Sequence, residues 1–343
     1  MADLALGIDI GGTKVAAALV NASGQVVGRE RGAVAPESNV AGLASIVQVI
    51  DRLLAAYPDA RSRLAGIGAG APGSIDWRAG SLSGATNLSW RDLPLTAALR
   101  DRYGIPALLD NDVNVAAWGE RCFGAGASKG TGNTPIQHLV FITVGTGIGA
   151  GFVEAGRIVR GRRSAGEIGH IPFVEHGPRC KCGMVGCLEA VAAGPAFAAA
   201  GRAAAVAGEA PRLLTLAGGD PNAITAPLVV QAAVEGDARA RRLLDREGYY
   251  LALAVLIAGR ILDPDVVVIG GGLADAGQPL FDALWANLAR LRPRGPEPRA
   301  YAVPSSLGAA AGAIGAAALI LRPEPGFVAA GLIEVPDVRE RLP

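Results

Sequence analysis

A pattern of strand, glycine turn and strand occurs twice in this chain, and it constrains the fold more than any other feature. The first copy is the apolar run Leu4 to Ile10, the turn Gly11-Gly12-Thr13 and a second apolar run from Val15 to Val20. The second copy begins about 135 residues later, with Leu139 to Val144 and the turn Gly145-Thr146-Gly147. Tight glycine turns between apolar runs are typical of antiparallel strands. The sequence therefore predicts two similarly built halves rather than a solenoid.

The remaining apolar periodicity predicts helices that alternate with strands, which indicates an α/β protein. Further strands are expected over residues 26–27, 64–71, 105–109, 151–153 and 266–269. Helices are expected over residues 40–56, 95–103, 111–123, 194–263, 307–321 and from 279 onward. The polar, glycine-rich stretch from Gly124 to Thr134 is the expected interdomain linker.

Composition excludes several classes of protein. Hydrophobic residues make up 50% of the 343 residues, which rules out disorder through lack of apolar burial. The net charge of +1 provides no basic field for nucleic acid or an anionic membrane surface. The N-terminus shows no signal peptide, and the apolar run from Leu307 to Leu321 is shorter than the roughly 20 residues of a membrane span. We therefore expect a cytoplasmic protein with neither a nucleic acid nor a membrane partner.

The two glycine turns are candidate phosphate-binding loops. Backbone N–H groups in a Gly-Gly-Thr turn can face a phosphate without obstruction by Cβ, and the Thr13 hydroxyl adds a donor. Asp9, just before the first turn, is a candidate Mg²⁺ ligand, although a plain hairpin with a buried aspartate would explain the same residues. With the second turn at Gly145 to Gly149, the pair could clamp a triphosphate from both sides.

Other nucleotide-binding motifs are excluded by their context. Gly68 to Gly73 matches G-x-G-x-x-G, but Pro72 and the residues after it do not open a helix, as a dinucleotide fingerprint must. The match at Gly145 to Ala150 runs into a strand, and no G-x-x-x-x-G-K-[ST] sequence is present. The chain is therefore predicted to be neither a dinucleotide-binding protein nor a P-loop enzyme.

Two polar groups are candidates for acid–base chemistry and hydroxyl binding. The segment from Asp110 to Asn114 lies where a strand ends and a helix begins. A carboxylate there could accept a proton from a substrate hydroxyl, or the cluster could simply cap the helix. Glu167 and His170 are three residues apart in a loop, where they could face one ligand or form a surface pair.

Three clustered cysteines predict a metal site. Cys180, Cys182 and Cys187 stand on a short, glycine-bearing segment, and His170 supplies a fourth ligand for a Cys₃His set. A closed four-ligand zinc site is structural, because no position remains for a catalytic water. His176 is a rival fourth ligand. Free thiols or a disulfide are the alternatives, and Cys122, distant in sequence, is expected to be an ordinary buried thiol.

Taken together and in order, these motifs resemble the ROK family of sugar kinases, within the actin/hexokinase/Hsp70 superfamily. The resemblance extends from Leu6 to about Leu321. It depends on the segments 7–14 (GIDIGGTK), 110–114 (DNDVN), 144–149 (VGTGIG), 167–170 (EIGH) and 180–189 (CKCGMVGCLE).

The resemblance implies two ribonuclease-H-like lobes of the actin-like ATPase type around a central cleft. It also implies ATP and Mg²⁺ as donor and cofactor, a hexose acceptor with glucose as the leading sugar, and a homodimer or homotetramer. We expect an N-terminal sugar and phosphate lobe over residues 1–123, completed by the helix 307–321. A nucleotide-binding lobe with the zinc knuckle is expected over 124–306, and an irregular tail over 322–343.

The resemblance assigns roles residue by residue. Asp112 matches the general base that takes the proton from the 6-hydroxyl of the sugar. The positions that hold the sugar's other hydroxyls are matched by Asn111, Glu167, His170 and Glu189, with Asn87 and the backbone near Gly70 as weaker candidates. The phosphate loops are matched by Asp9, Gly11, Gly12, Thr13, Lys14, Gly145, Thr146 and Gly147, and the adenosine segment by Gly270, Gly271 and Gly272. Zinc would support His170 and Glu189 around the sugar.

Three alternatives remain open. N-acetylglucosamine or N-acetylmannosamine kinases and fructokinases differ from a glucokinase by single substituents on the sugar, and polyphosphate could replace ATP. A sugar-sensing transcriptional regulator would carry a DNA-binding domain before the first Gly-Gly-Thr turn, and that turn begins at Gly11. A non-catalytic sugar-binding module would not need Asp9, Asp112 and both phosphate loops.

Overall fold

A computed structural model describes residues 3–84, 88–127, 136–162, 165–292, 294 and 297–334. The chain forms two compact units. Unit 1 comprises Met1–Gln137, Gly151–Ala165 and Ala310–Pro343, and unit 2 comprises His138–Ala150 and Gly166–Ala309. By this division the described residues of 124–137, 151–165 and 322–343 fall in the first unit, whereas we expected a second lobe over 124–306 and an irregular tail over 322–343.

Helices and strands alternate along the described residues. The strands are β1 (Leu4–Ile10), β2 (Lys14–Asn21), β3 (Val26–Ala33), β4 (Leu64–Ala71), β5 (Ser74–Asp76), β6 (Ser81–Gly84), β7 (Ala107–Asn111), β8 (Leu139–Val144), β9 (Ile148–Glu154), β10 (Arg157–Ile158), β11 (Val266–Gly270) and β12 (Ala302–Pro304). The helices are α1 (Asn39–Ala56), α2 (Leu95–Tyr103), α3 (Asp112–Phe123), α4 (Leu188–Ala192), α5 (Gly194–Val206), α6 (Pro211–Leu216), α7 (Ala226–Val234), α8 (Ala238–Leu262), α9 (Gln278–Leu291), α10 (Pro298–Tyr301), α11 (Ala311–Leu321) and α12 (Pro325–Ala329).

The first sheet has the strand order β3-β2-β1-β4-β7. Strands β1, β2 and β3 form an antiparallel meander, and β4 and β7 add in parallel beside β1. The meander follows from the sequence, since the glycine turn after Ile10 and the turn from Asn21 to Gln25 each return the chain along the strand before it. The buried residues of β1, β2 and β4 join those of α1 in one hydrophobic core.

The second sheet repeats this topology, with the order β10-β9-β8-β11-β12. Strand β10 is antiparallel to β9, and β11 is parallel to both β8 and β12. The two sheets therefore share one plan, a meander followed by two parallel strands. The prediction of two ribonuclease-H-like halves is confirmed.

Glycines allow the C-terminal helix α11 to approach the first sheet closely. A Cβ at Gly7 of β1 or Gly68 of β4 would clash with backbone atoms of α11. On the helix itself, a Cβ at Gly315 would clash with the Val115 carbonyl group of α3. Helix α11 is thus packed between β1, β4 and α3, which fixes the position of α3 relative to the sheet.

Several boundaries differ from the expected ones. Strand β7 covers 107–111 rather than 105–109, because Gly104 ends α2 with a positive φ of 70° and Pro106 lies before the first paired residue. Strand β9 starts at 148, directly after the glycine turn, and not at 151. The tail after residue 321 is not wholly irregular, since Glu324 caps the short helix α12 and Phe327 is fully buried. Of the expected linker, residues 128–134 lie outside the described residues.

Helix α1 is long and apolar enough, by length and composition alone, to cross a membrane. One face of this helix, with Ile46, Val49, Ile50 and Leu53, is buried in the core of unit 1. A core helix of a globular domain passes the same length and hydropathy test, so the finding is weak evidence for a membrane span.

Candidate active site

Three parallel strands of unit 1 end at the same edge of the first sheet. Asp9 of β1 pairs in register with Gly70 of β4, Gly70 pairs with Asp110 of β7, and Asn111 follows beside Ala71. In open α/β sheets, ligands bind at the carboxyl ends of the strands. The register therefore brings three residues that the motifs singled out, Asp9, Gly70 and Asn111, to one edge.

The Asp9 carboxylate lies beside a glycine of α11. A Cβ at Gly312 would lie 2.6 Å from the Asp9 carboxyl carbon, so the glycine leaves room for this side chain. Burial raises the pKa of Asp9, while the positive charges of Lys14 and Arg31 oppose that rise. Within the described chain the carboxylate accepts no hydrogen bond. A half-buried carboxylate without a hydrogen-bond donor, next to a Gly-Gly-Thr turn, fits a hard cation such as Mg²⁺.

The turn after Asp9 is closed by its own backbone. The Gly11 N–H donates to the Lys14 carbonyl at 2.8 Å, and the Val34 N–H donates to the Thr13 carbonyl at 3.2 Å. Thr13 and Lys14 are exposed, and Gly11 and Gly12 are half-buried. The hydroxyl and ammonium groups of the turn are thus accessible to an anion.

Helix α3 begins at the end of β7 with a polar cap. The Asn111 Oδ1 accepts hydrogen bonds from the N–H groups of Val113 at 3.0 Å and Asn114 at 3.3 Å. The Asp112 Oδ1 accepts from the Val113 N–H at 2.9 Å. The segment therefore does cap the helix, and the same cap holds the half-buried Asp112 at the helix N-terminus, where the helix dipole favours a carboxylate.

Asp110 is buried beneath this cap. Its Oδ1 accepts from the Asn111 N–H at 2.8 Å and the Asn114 Nδ2 at 3.0 Å, and its Oδ2 accepts from the Arg160 Nε at 2.7 Å. Burial raises the pKa of Asp110, and the Arg160 guanidinium and the two amide donors oppose that rise. These donors are the partners that an ionised carboxylate requires in a low-dielectric interior.

In unit 2, the second glycine turn lies beside the glycines that follow β11. The Gly145 N–H donates to the Gly147 carbonyl at 2.9 Å, and Thr146 is exposed. The Leu273 N–H donates to the Val144 carbonyl at 2.9 Å, and a Cβ at Gly145 would lie 3.6 Å from the Gly272 nitrogen. Gly271 has a φ of +87°. The structure therefore brings together 145–147 and 270–272, the expected phosphate and adenosine segments.

The cysteine segment brings four ligand atoms together. One ligand atom each of His170, Cys180, Cys182 and Cys187 lies within 4.8 Å of the others. The Cys182 and Cys187 sulfurs are 3.7 Å apart, close to the roughly 3.8 Å between two thiolates on a tetrahedral zinc ion. The His170 Nδ1 faces the Cys180 sulfur at 3.6 Å. The donor set and its spacing fit zinc, and the rival His176 is exposed and outside this cluster.

The other ring nitrogen of His170 faces away from the thiols. Its Nε2 lies 3.7 Å from the Glu167 Oε2, and these side chains are 30% and 53% exposed. Gly166 and Gly169 lie against backbone carbonyls of β9, where a Cβ would clash. Glu167 and His170 are thus held side by side on a short 3₁₀ turn with accessible polar atoms.

Glu189 connects the cysteine segment to the second glycine turn. It lies in the first turn of α4, which begins directly after Cys187, and its Oε2 accepts from the Ile148 N–H at 3.0 Å. The Gly194 N–H, at the start of α5, donates to the Gly145 carbonyl at 2.9 Å. The expected metal ligands, the expected sugar residue Glu189 and the expected phosphate loop therefore form one connected structure within unit 2.

One candidate residue lies outside the described part of the chain, and two residues near the site were not predicted from the sequence. Asn87 lies outside the described residues. Cys122 is half-buried, and its pKa is raised to about 12, chiefly by burial. Arg160 and Glu324, which hold Asp110, had no sequence signal, because Arg160 stands in a basic run that resembles a solvated surface segment and Glu324 stands among prolines.

Comparison with known proteins shows a family match over most of the chain. The ROK family model matches residues 5–322. A glucokinase from Halalkalibacterium halodurans is 34% identical over 326 residues, which are 93% of this chain and 95% of that protein.

Two solved structures are similar throughout. A ROK family glucokinase from Streptomyces griseus, in complex with glucose and AMPPNP, has a TM-score of 0.76 and 33% identity, with 93% of this chain and 99% of that chain covered. A ROK hexokinase from Thermus thermophilus has a TM-score of 0.72 and 31% identity, with coverages of 92% and 96%. With its two sheets of actin-like ATPase topology and this match over nearly its whole length, the chain belongs to the ROK family.

Proposed function

We propose that this protein is an ATP-dependent glucose kinase that transfers the γ-phosphoryl group to the 6-hydroxyl of the sugar. The observation that carries the proposal is the alignment of Asp9, Gly70 and Asn111 at one sheet edge, with Asp112 on the helix that starts there. The glucose and AMPPNP bound by the Streptomyces griseus relative support the choice of sugar and donor.

Asp112 is the proposed general base. At the N-terminus of α3 it would accept the proton of the 6-hydroxyl as that oxygen attacks the γ-phosphorus and the bond to ADP breaks. The Asn111 Oδ1 is engaged in capping α3, which leaves its Nδ2 to donate to a sugar oxygen. Base and amide would thus come from one rigid helix end, which keeps their spacing constant.

Three further side chains would bind the sugar's other hydroxyls. Glu167 and Glu189 supply acceptors, and the His170 Nε2 faces the same side as the Glu167 carboxylate. The Gly70 backbone and Asn87 are the further proposed contacts. Discrimination among sugars is then a matter of which hydroxyls find a partner, since a buried polar group left unpaired costs about 1–3 kcal/mol.

The phosphates would be bound by the two glycine turns. Gly11, Gly12, Thr13 and Lys14 offer backbone donors, a hydroxyl and an ammonium group, and Gly145 to Gly147 offer the second set. Gly270 to Gly272 would border the adenosine. Asp9 would hold Mg²⁺, which when bound neutralises charge on the transferred phosphoryl group.

The Cys₃His cluster would hold zinc in a structural role. His170 would bind it through Nδ1, which sets the ring so that Nε2 faces the sugar. Because all four ligands come from the protein, no open position remains for a catalytic water. We also propose a cytoplasmic location and a homodimer or homotetramer, as the family resemblance implies.

A coupled assay for ADP release tests the function. The purified protein is given ATP with glucose, N-acetylmannosamine, N-acetylglucosamine or fructose, and glucose with polyphosphate. We expect the highest kcat/KM with glucose and ATP. A higher value for another sugar would reassign the substrate, and sugar binding without turnover would indicate a binding module or a regulator, which a gel-shift assay distinguishes.

Asp112→Asn tests the base. We expect kcat to fall by at least about 10³-fold, within the range for loss of an acid–base group, while the glucose dissociation constant changes by less than about threefold. Asp101→Asn, at an exposed position on α2, is the matched control and keeps wild-type turnover. Turnover within about tenfold of wild type in Asp112→Asn contradicts the assignment.

A further inference from the structure

Arg160 forms ion pairs with Asp110, the residue before the cap at Asn111, and with Glu324 in the C-terminal segment of the chain. Its Nε donates to the Asp110 Oδ2 at 2.7 Å, and its Nη2 donates to the Glu324 Oε2 at 2.8 Å. The side chains of Asp110 and Glu324 are 2% and 0% exposed, and that of Arg160 is 10% exposed. Three charged groups therefore form one buried network within unit 1.

Two aromatic rings enclose the guanidinium. Its central carbon lies 4.4 Å from the centre of the Trp77 ring and 4.8 Å from that of Phe327. The two rings meet edge to face at 5.2 Å. Aromatic faces attract the cation and exclude water, so they strengthen both ion pairs and restrict the guanidinium to one orientation.

Glu324 is itself held by the backbone. Its Oε1 accepts from the Ile158 N–H at 3.2 Å, and its Oε2 also accepts from the Gly326 N–H at 2.9 Å, where it caps α12. Glu324 and Phe327 lie beyond residue 322, where the match to the ROK model ends. The outer half of the network is thus supplied by a segment beyond the part of the chain that matches the family model.

The inner half leads directly to the proposed base. The Asp110 Oδ1 accepts from the Asn111 N–H and the Asn114 Nδ2, so one carboxylate contacts both sides of the cap that starts α3. Asp112 lies between those two residues. A shift of the Arg160 guanidinium would therefore move the Asp110 carboxylate, and with it the backbone on which Asp112 stands.

We propose that Arg160 and Glu324 are positioning residues that hold the N-terminus of α3, and hence Asp112, in the geometry needed for proton transfer. The proposal rests on the proposed function for the role of Asp112. Stability alone is a weak reason for such a network, because well-packed apolar side chains often replace buried ion pairs without loss of stability. Directional bonds to Asp110 are what apolar packing could not supply.

Three substitutions and one control test the proposal. Arg160→Met removes the charge and both donors, Arg160→Lys keeps the charge but loses the two-acceptor fork, and Glu324→Gln removes one charge at nearly constant shape. Val328→Ala is the control, since it removes apolar side-chain atoms from the same short helix and takes part in none of the network's side-chain hydrogen bonds or ring contacts. Thermal melts identify the folded variants. The measurements are kcat, the KM for glucose and for ATP, and amide hydrogen exchange at Val113 and Asn114.

We expect kcat to fall about 100-fold in Arg160→Met and about 10-fold in Arg160→Lys, which is the scale of a misplacement of about 1 Å. Glu324→Gln should lower kcat by about fivefold, with each KM within about threefold of wild type. Exchange at Val113 and Asn114 should accelerate in these variants and not in Val328→Ala. If Arg160→Met does not fold, Arg160→Lys and Glu324→Gln carry the same test.

Two results overturn the proposal. The first is unchanged kcat and unchanged amide exchange in the folded variants, and the second is a fall in kcat no larger than that in Val328→Ala. Failure of the proposed function is a separate result, because it shows as a wild-type protein that does not phosphorylate glucose. In that case the exchange rates at Val113 and Asn114 still decide whether Arg160 and Glu324 hold the start of α3.

Discussion

The two units begin with the same strand, glycine turn and strand, yet they order their candidate site residues by different means. In unit 1, glycines let α11 pack against β1, β4 and α3, and a buried ion network holds Asp110. In unit 2, one ligand atom each of three cysteines and His170 lies within 4.8 Å of the others. Glu189 of α4 connects this cluster to the second glycine turn through its hydrogen bond with the Ile148 N–H. The difference shows that one topology can position candidate site residues either by close packing at glycines or by a cluster of cysteine and histidine side chains.

Close packing in unit 1 and the Cys₃His cluster in unit 2 depend on different conditions. Close packing depends on the absence of a side chain at a few glycines, so it fails when a single Cβ is added. A ligand cluster on a short segment with little apolar burial depends on the ion, since metal binding there also supplies folding free energy. Unit 1 should therefore be sensitive to small steric changes, and the cysteine segment of unit 2 should be sensitive to chelation.

The largest effect is expected from Gly315→Ala in unit 1. Its Cβ would clash with the Val115 backbone, which cannot move without displacing α3 from α11. We expect a loss of about 3 kcal/mol or more in the free energy of unfolding, measured by urea denaturation. Gly84→Ala is the control, because the nearest atom to its Cβ is the end of the Arg91 side chain, at 3.3 Å. Equal stability of both variants would contradict the role given to close packing.

Removal of the metal should give the next largest effect, and it should be confined to the site in unit 2. After chelation we expect the KM for glucose to rise by about 10- to 100-fold, because His170 and Glu189 lose their support. The KM for ATP should change less, since the Gly145 turn keeps its own backbone hydrogen bonds. Metal analysis and steady-state kinetics before and after re-addition of zinc measure this. An unchanged KM for glucose in metal-free protein would refute the supporting role.

The smallest effect concerns a buried carboxyl group of unit 2. Glu247 on α8 is 2% exposed, its Oε1 has no hydrogen-bond partner among the described residues, and burial raises its pKa well above the ordinary 4.5. The stability that a raised carboxyl pKa contributes is full below the unfolded pKa and is lost as the pH rises through the native pKa. Glu247→Gln should therefore gain about 1 kcal/mol over wild type above the native pKa and almost nothing below pH 4.5.

Thermal melts of both proteins across that range measure the difference. A gain independent of pH would assign the effect to packing instead of ionisation. Asp110 and Glu324 of unit 1, which accept several hydrogen bonds each, provide the contrast, since neutralising either one would leave donors without an ionised acceptor.

Much of the fold could be predicted from local pattern. The glycine turns and apolar runs predicted both meanders, and the polar cluster from Asp110 to Asn114 predicted a cap at the start of α3. The Cys₃His set was predicted from spacing alone, because its ligands lie within a short segment whose glycines at 183 and 186 take positive φ angles. The boundaries of β7 and β9 were missed by two or three residues, since pairing with a neighbouring strand decides where a strand starts.

The sequence by itself determined the two similar halves, the two glycine turns, the polar cap at the start of α3 and the cluster of cysteines with a histidine, because each depends on residues close together along the chain. Only the tertiary structure decided that Asp9 lies against Gly312, that Glu189 bonds to Ile148, and that Arg160 joins Asp110 to Glu324. These pairs are distant in sequence, and single Arg, Glu or Gly residues carry no periodicity that would reveal a partner. The contact within each pair gives these residues their roles, and such contacts exist only in the folded chain.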